Sequence, residues 1–100
     1  MYRFRTALWK WQGDSAWHFV TVPIDVSDEI EARTTHVTRG FGSVRVRATI
    51  GGTTWETSVF PDSKAEAYVL PVKAGVRKAE RITPGDEADV ELEVIEPGAA

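Results

Sequence analysis

Residues 44–61 read VRVRATIGGTTWETSVFP, and their alternation sets the architecture. Val44, Val46, Ala48 and Ile50 fall on one side of an extended chain, with Arg45, Arg47 and Thr49 on the other. A period of two with one apolar face is the mark of a half-buried strand. Gly51-Gly52 supplies the positive φ values that a two-residue hairpin turn needs, so Thr53 to Phe60 is expected to return antiparallel. Pro61-Asp62-Ser63-Lys64 is the next turn.

Downstream, Glu66 to Val72 reads as another strand, with Pro71 confined to its end because proline cannot donate to a ladder. Residues 70–94, LPVKAGVRKAERITPGDEADVELEV, then change period twice. Lys73, Arg77 and Arg81 recur every fourth position, which predicts a short helix with Val72, Val76, Ala79 and Ile82 facing the sheet. Its other side carries Lys73, Arg77, Lys78 and Arg81. After Pro84-Gly85-Asp86 the period returns to two, burying Ala88, Val90, Leu92 and Val94 and exposing Glu87, Asp89, Glu91 and Glu93.

Upstream, Tyr2, Phe4, Thr6 and Leu8 form the core face of a first strand, opposite Arg3, Arg5, Ala7 and Trp9. Gln12 to Ser15 is a turn, and Ala16 to Val22 is a second strand with Trp17 and Phe19 on one side. Ser27 is expected to cap a helix running to Arg33, with Asp28 and Glu29 in its first turn. Thr34 to Gly42 lacks a period and reads as a loop.

Six strands with two short helices in their connections predict an all-β fold, a small closed or nearly closed antiparallel six-stranded barrel. Residues 1–96 form the expected single domain, with residues 97–100 as a frayed tail. Closure makes the terminal strands neighbours, so Arg3 and Arg5 are expected to oppose Glu91 and Glu93 across the outer surface.

The ordered series of the 44–61 hairpin, Leu70-Pro71, Val76-Arg77-Lys78 and Gly85-Asp86, together with Trp17 to Val20 and Val22-Pro23, resembles the domain of unknown function 1905 family. The resemblance covers nearly the whole chain. It implies a small bacterial β-barrel with no established activity, so no catalytic residue is carried over. Two departures stand out: Ala65-Glu66 replaces a glycine turn, and Glu80-Arg81 replaces a smaller, more neutral connection.

Composition narrows the chemistry. The 100 residues contain no cysteine, which excludes disulfides, thiolate metal ligands and cysteine nucleophiles. Charges interrupt every apolar run near the N-terminus, so neither a signal peptide nor a membrane span is expected, and a cytoplasmic location is the default. The net charge of −3 argues against a nucleic-acid binder, whose affinity would come from clustered Lys and Arg. His18 and His36 have no metal-ligand spacing around them, and no metal or cofactor is expected. Gly40-Phe41-Gly42 precedes a strand instead of following one and reads as a turn, not a phosphate loop.

Two features remain. Four tryptophans are many for this length, and such rings either plug a barrel or line a binding mouth. The stripe Lys73, Arg77, Lys78 and Arg81, joined by Arg39 from the loop, is the candidate site for an anionic small molecule or an acidic protein surface. The function expected is therefore a noncatalytic binding or interaction module. The alternatives are a small enzyme using a His36-containing loop and a nucleic-acid-binding barrel. A homodimer meeting through the Arg45 and Arg47 face is compatible with the pattern.

Overall fold

The computed structural model describes residues 1–13, 15–34 and 42–95. Six strands, β1 (Tyr2–Lys10), β2 (His18–Thr21), β3 (Val44–Ile50), β4 (Thr53–Asp62), β5 (Ala67–Pro71) and β6 (Glu87–Val94), are joined by helices α1 (Ile24–Thr34) and α2 (Ala74–Glu80). The strands close into an antiparallel barrel in the order β1-β2-β5-β4-β3-β6. Closure removes both free edges, which otherwise present unpaired backbone groups.

Two long strands make the closure possible. β1 pairs with β6 over Tyr2 to Ala7 and with β2 over Leu8 to Lys10. β4 does the same, pairing with β3 from Thr53 to Val59 and with β5 from Phe60 to Asp62. Each therefore passes from one half of the barrel wall to the other. Leu8, Val20, Val46, Ala48, Val59, Leu70, Val90 and Leu92 fill the interior, as alternation requires. Trp55 is buried in the same core.

On the outer wall the register decides the ion pairs. Arg3 opposes Glu91, with Nε 2.7 Å from the carboxylate. Antiparallel pairing then brings Arg5 opposite Asp89, not Glu93, because each step of two along β1 is a step of two backwards along β6. Arg5 reaches Asp89 at 3.1 Å and Glu87 at 2.9 Å. Glu93 is instead held by Arg47 of β3, at 2.9 Å, and the same guanidinium reaches Glu56 of β4 at 3.1 Å. The Arg45 and Arg47 face is thus answered largely within the chain.

Several boundaries differ from the sequence reading. α1 starts at Ile24 rather than at Ser27, and the Ser27 amide closes the first turn on Pro23 O at 2.8 Å. Ser27 lies inside the helix, buried, because its hydroxyl is used elsewhere: it donates to Val22 O at 3.2 Å and accepts from the Tyr68 amide at 3.0 Å. β2 is confined to His18–Thr21, while β4 continues through Pro61 to Asp62. β5, against which α1 packs, is buried at all five positions.

α2 is shorter than its period implies. It spans Ala74 to Glu80, and Arg81 follows in the left-handed conformation at φ 55°, which ends the helix. Val72 and Val76 are buried, and each fully buried valine contributes about 1.5–3 kcal/mol. Ala79 is exposed, contrary to expectation, because the turn at Arg81 carries Ile82 back to the barrel without a further helical turn. The Pro84-Gly85-Asp86 turn then clasps β1: Gly85 N donates to Leu8 O at 2.8 Å, and Leu8 N to Asp86 O at 2.9 Å.

Candidate functional site

Where β5 gives way to α2, the chain leaves a cleft of about 500 Å³ beside the barrel wall. Its size lies within the range of small-molecule sites. Three elements supply the side chains that matter: Trp17 and His18 at the start of β2, Trp55 and Phe60 on β4, and Lys73 and Arg77 at α2.

The position of His18 follows from strand parity. It shares the inward face with Val20 and Val22, and only 8% of its surface is exposed. Nδ1 lies 2.7 Å from Ala16 O. A carbonyl can only accept, so Nδ1 carries a proton, and in the tautomer this selects Nε2 is the acceptor. Among the described residues no hydrogen bond reaches Nε2, and no buried side-chain nitrogen or oxygen lacks a partner. Nε2 therefore keeps contact with solvent.

Trp55 poses the same question. It is 8% exposed and lines the cleft, and no group among the described residues accepts its indole N–H. Trp9 offers the contrast, since its Nε1 donates to Thr21 Oγ1 at 2.9 Å. One tryptophan is satisfied by a protein oxygen, and the indole N–H of the other is left to solvent.

Trp17 is 57% exposed yet ordered by its neighbours. It stacks on Phe19 with centroids 5.9 Å apart and planes 10° from parallel. Phe19 is in turn packed by Trp9 at 5.1 Å and edge-on by Trp11 at 6.4 Å. Aromatic pairs of this kind contribute about 0.5–1.5 kcal/mol beyond their burial. The cluster leaves one side of the Trp17 indole covered and the other free.

The cations complete the wall. Arg77 Nε donates to Val72 O at 3.2 Å, which pins the guanidinium while its two terminal nitrogens remain without a partner among the described residues. Such a fork matches the paired oxygens of a carboxylate or phosphate. Lys73, just before α2, is exposed and makes no ion pair among the described residues. The cleft also contains Glu56, but Arg47 holds its carboxylate at 3.1 Å and Arg45 approaches at 3.9 Å. Hydrogen bonding from Glu56 and Glu93 pushes the Arg47 pKa further above its ordinary value.

The four-residue stripe read from the sequence is therefore divided. Lys73 and Arg77 line the cleft, whereas Lys78 and Arg81 are exposed outside its lining. Arg39 and His36 lie outside the described residues. His18 was not singled out as a binding residue, and Trp55 entered only among the rings that either plug a barrel or line a binding mouth; the available signal was the parity that put His18 on an otherwise apolar strand face.

A second cleft, of about 420 Å³, lies between α1 and the β4–β5 turn and carries Asp28, Glu31, Asp62 and Glu66 beside Tyr68. Burial, followed by the charge of Glu31, pushes the Tyr68 phenol upward, against an opposing hydrogen bond with Thr34. Among the described residues no group of three or more His, Asp or Glu side chains is placed to hold a metal ion. Among them too, no helix is long and apolar enough to cross a membrane.

One family profile, described as a domain of unknown function (DUF1905), matches residues 4–92. No curated protein matches the chain.

Proposed function

This chain belongs to the domain of unknown function 1905 family, and on that premise we propose that it is a noncatalytic binding module receiving an anionic ligand in the α2 cleft. One observation carries the reading. Lys73 and Arg77 line a cleft whose one carboxylate among the described residues, Glu56, is already paired with Arg47, so the described lining keeps unbalanced positive charge. A cation beside an apolar wall is less screened than one in open solvent, which favours capture of an anion.

The concave shape favours a small ligand over an extended acidic protein surface. Inorganic phosphate is the simplest probe. Titrated into 15N-labelled protein, it should shift the amide signals of Lys73 to Arg77 and leave those of the β1–β6 seam in place. Lys73→Glu with Arg77→Glu should abolish the shifts, whereas Lys78→Glu with Arg81→Glu should preserve them. Equal loss in both double variants would replace the cleft with a diffuse basic surface.

A further inference from the structure

Resting on the anion site just described, we infer that the cleft takes a nucleoside monophosphate, with the base stacked on Trp17 and the phosphate held by Arg77 and Lys73. Three independent observations meet in that ligand.

The first is charge. Two cations without acidic partners among the described residues line the cleft, and a phosphomonoester carries about −1.5 to −2 at pH 7. Phosphate thus balances both, whereas a carboxylate balances one. Arg77 is pinned through Nε, so its terminal nitrogens are already oriented before the ligand arrives.

The second is a ring-sized platform. Phe19 covers one side of Trp17, and the indole remains 57% exposed at the rim of the cleft. Exposed aromatic surface that is held in a fixed orientation is a stacking platform for a flat base. Phe60, itself 42% exposed, lines the cleft from β4.

The third is a free donor and a free acceptor on side chains that are otherwise buried. Trp55 N–H and His18 Nε2 have no hydrogen-bond partner among the described residues, and both residues are 8% exposed. Both atoms therefore reach solvent and are open to a ligand's polar edge. Nucleobases present donors and acceptors side by side along their edges, which is the pattern needed to satisfy both. A simple aryl phosphate would stack and bind its charge but leave this pair unused.

The experiment is calorimetric titration of the intact chain with AMP, GMP, CMP and UMP, alongside inorganic phosphate, phenyl phosphate and the four free nucleosides. At least one nucleotide should bind tenfold or more tightly than phosphate, phenyl phosphate and its own nucleoside. Trp17→Ala, at an exposed position, should reduce nucleotide affinity at least fivefold while leaving phosphate binding unchanged. His18→Asn keeps a donor for Ala16 O and removes the Nε2 acceptor, and it should lower nucleotide affinity selectively. In 15N spectra the Trp55 indole signal should move on binding and that of Trp9 should not. If phosphate binds but no nucleotide exceeds phenyl phosphate, the base-reading inference falls and the anion site stands. If neither phosphate nor nucleotide binds, both fall.

Discussion

The Ser27 hydroxyl accepts the Tyr68 amide hydrogen at 3.0 Å while donating to Val22 O at 3.2 Å, so one small side chain on α1 ties the end of β2 to the start of β5. Val22 N closes the same junction on Tyr68 O at 2.9 Å. Ser27 itself is buried.

Ser27→Ala should therefore leave the Tyr68 amide orphaned, at a cost of about 1–3 kcal/mol. Urea unfolding at constant m-value reads this as a lower midpoint. A loss below about 0.5 kcal/mol would mean that another group satisfies the amide.

Tyr68 adds an alkaline weakness. Its phenol titrates above the usual value near 10, chiefly through burial. Its folded form therefore holds the proton to a higher pH than the unfolded chain, and its contribution is complete below about pH 10. That contribution is lost as pH rises through the folded pKa. Tyr68→Phe should flatten the fall in stability above about pH 10, as measured by unfolding at a series of alkaline pH values. An unchanged slope would assign the fall to other groups.

Glu66 and Arg81 are the two non-glycine residues with positive φ among the described residues, at 52° and 55°. They sit at the two places where the family resemblance implies a glycine turn and a smaller connection. The left-handed region costs an L-residue about 1–2 kcal/mol, partly offset by the greater chain entropy of glycine. Glu66→Gly should raise stability by about 0.5–1 kcal/mol, read as an increase in Tm. Arg81→Gly tests the second position and leaves the cleft intact.

Gly51 should behave in the opposite way. It holds φ 59° in the β3–β4 hairpin, and an added Cβ would collide with the Glu80 carboxylate, which accepts from the Thr53 hydroxyl. Gly51→Ala should cost about 1 kcal/mol or more and disturb the contact between α2 and the hairpin. Combining it with Glu80→Ala separates the steric part from the backbone part.

Arg47 connects the outer wall to the cleft. Removing it strips Glu56 of its nearest cation, leaving Arg45 at 3.9 Å. Arg47→Ala should weaken phosphate binding severalfold with little change in thermal stability, because its ion pairs lie on the solvent-exposed outer wall. The effect should shrink as ionic strength rises. Undiminished binding would show that Glu56 does not sense the ligand.

The barrel was legible because its signal is local and repeated. Val44 to Ile50, Gly51-Gly52 and the Glu87 to Val94 alternation each specify a strand or a turn without reference to distant residues. Ser27 was misread for the opposite reason: capping is a local rule, and its hydroxyl answers instead to Val22 and Tyr68. The basic stripe was read by helical period, but α2 has seven residues and ends in a left-handed turn, so the period does not extend to Arg81. His18 needed knowledge that no alternation contains, namely that Ala16 O takes one ring nitrogen and leaves the other free.

The strand order makes β6 the keystone, seated between β1 and β3. Tyr2 pairs with Leu92 and Val46 with Val94, so neither neighbour can complete its edge until the last strand has been synthesised. On the ribosome, β1 waits through nearly the entire translation of these residues for its partner. Sequence separation of that kind slows the search for native pairings, and the unfinished ladders offer their amides to other chains meanwhile. Closure accordingly waits for β6, and a truncation ahead of Glu87 converts a barrel without edges into an intermediate with two.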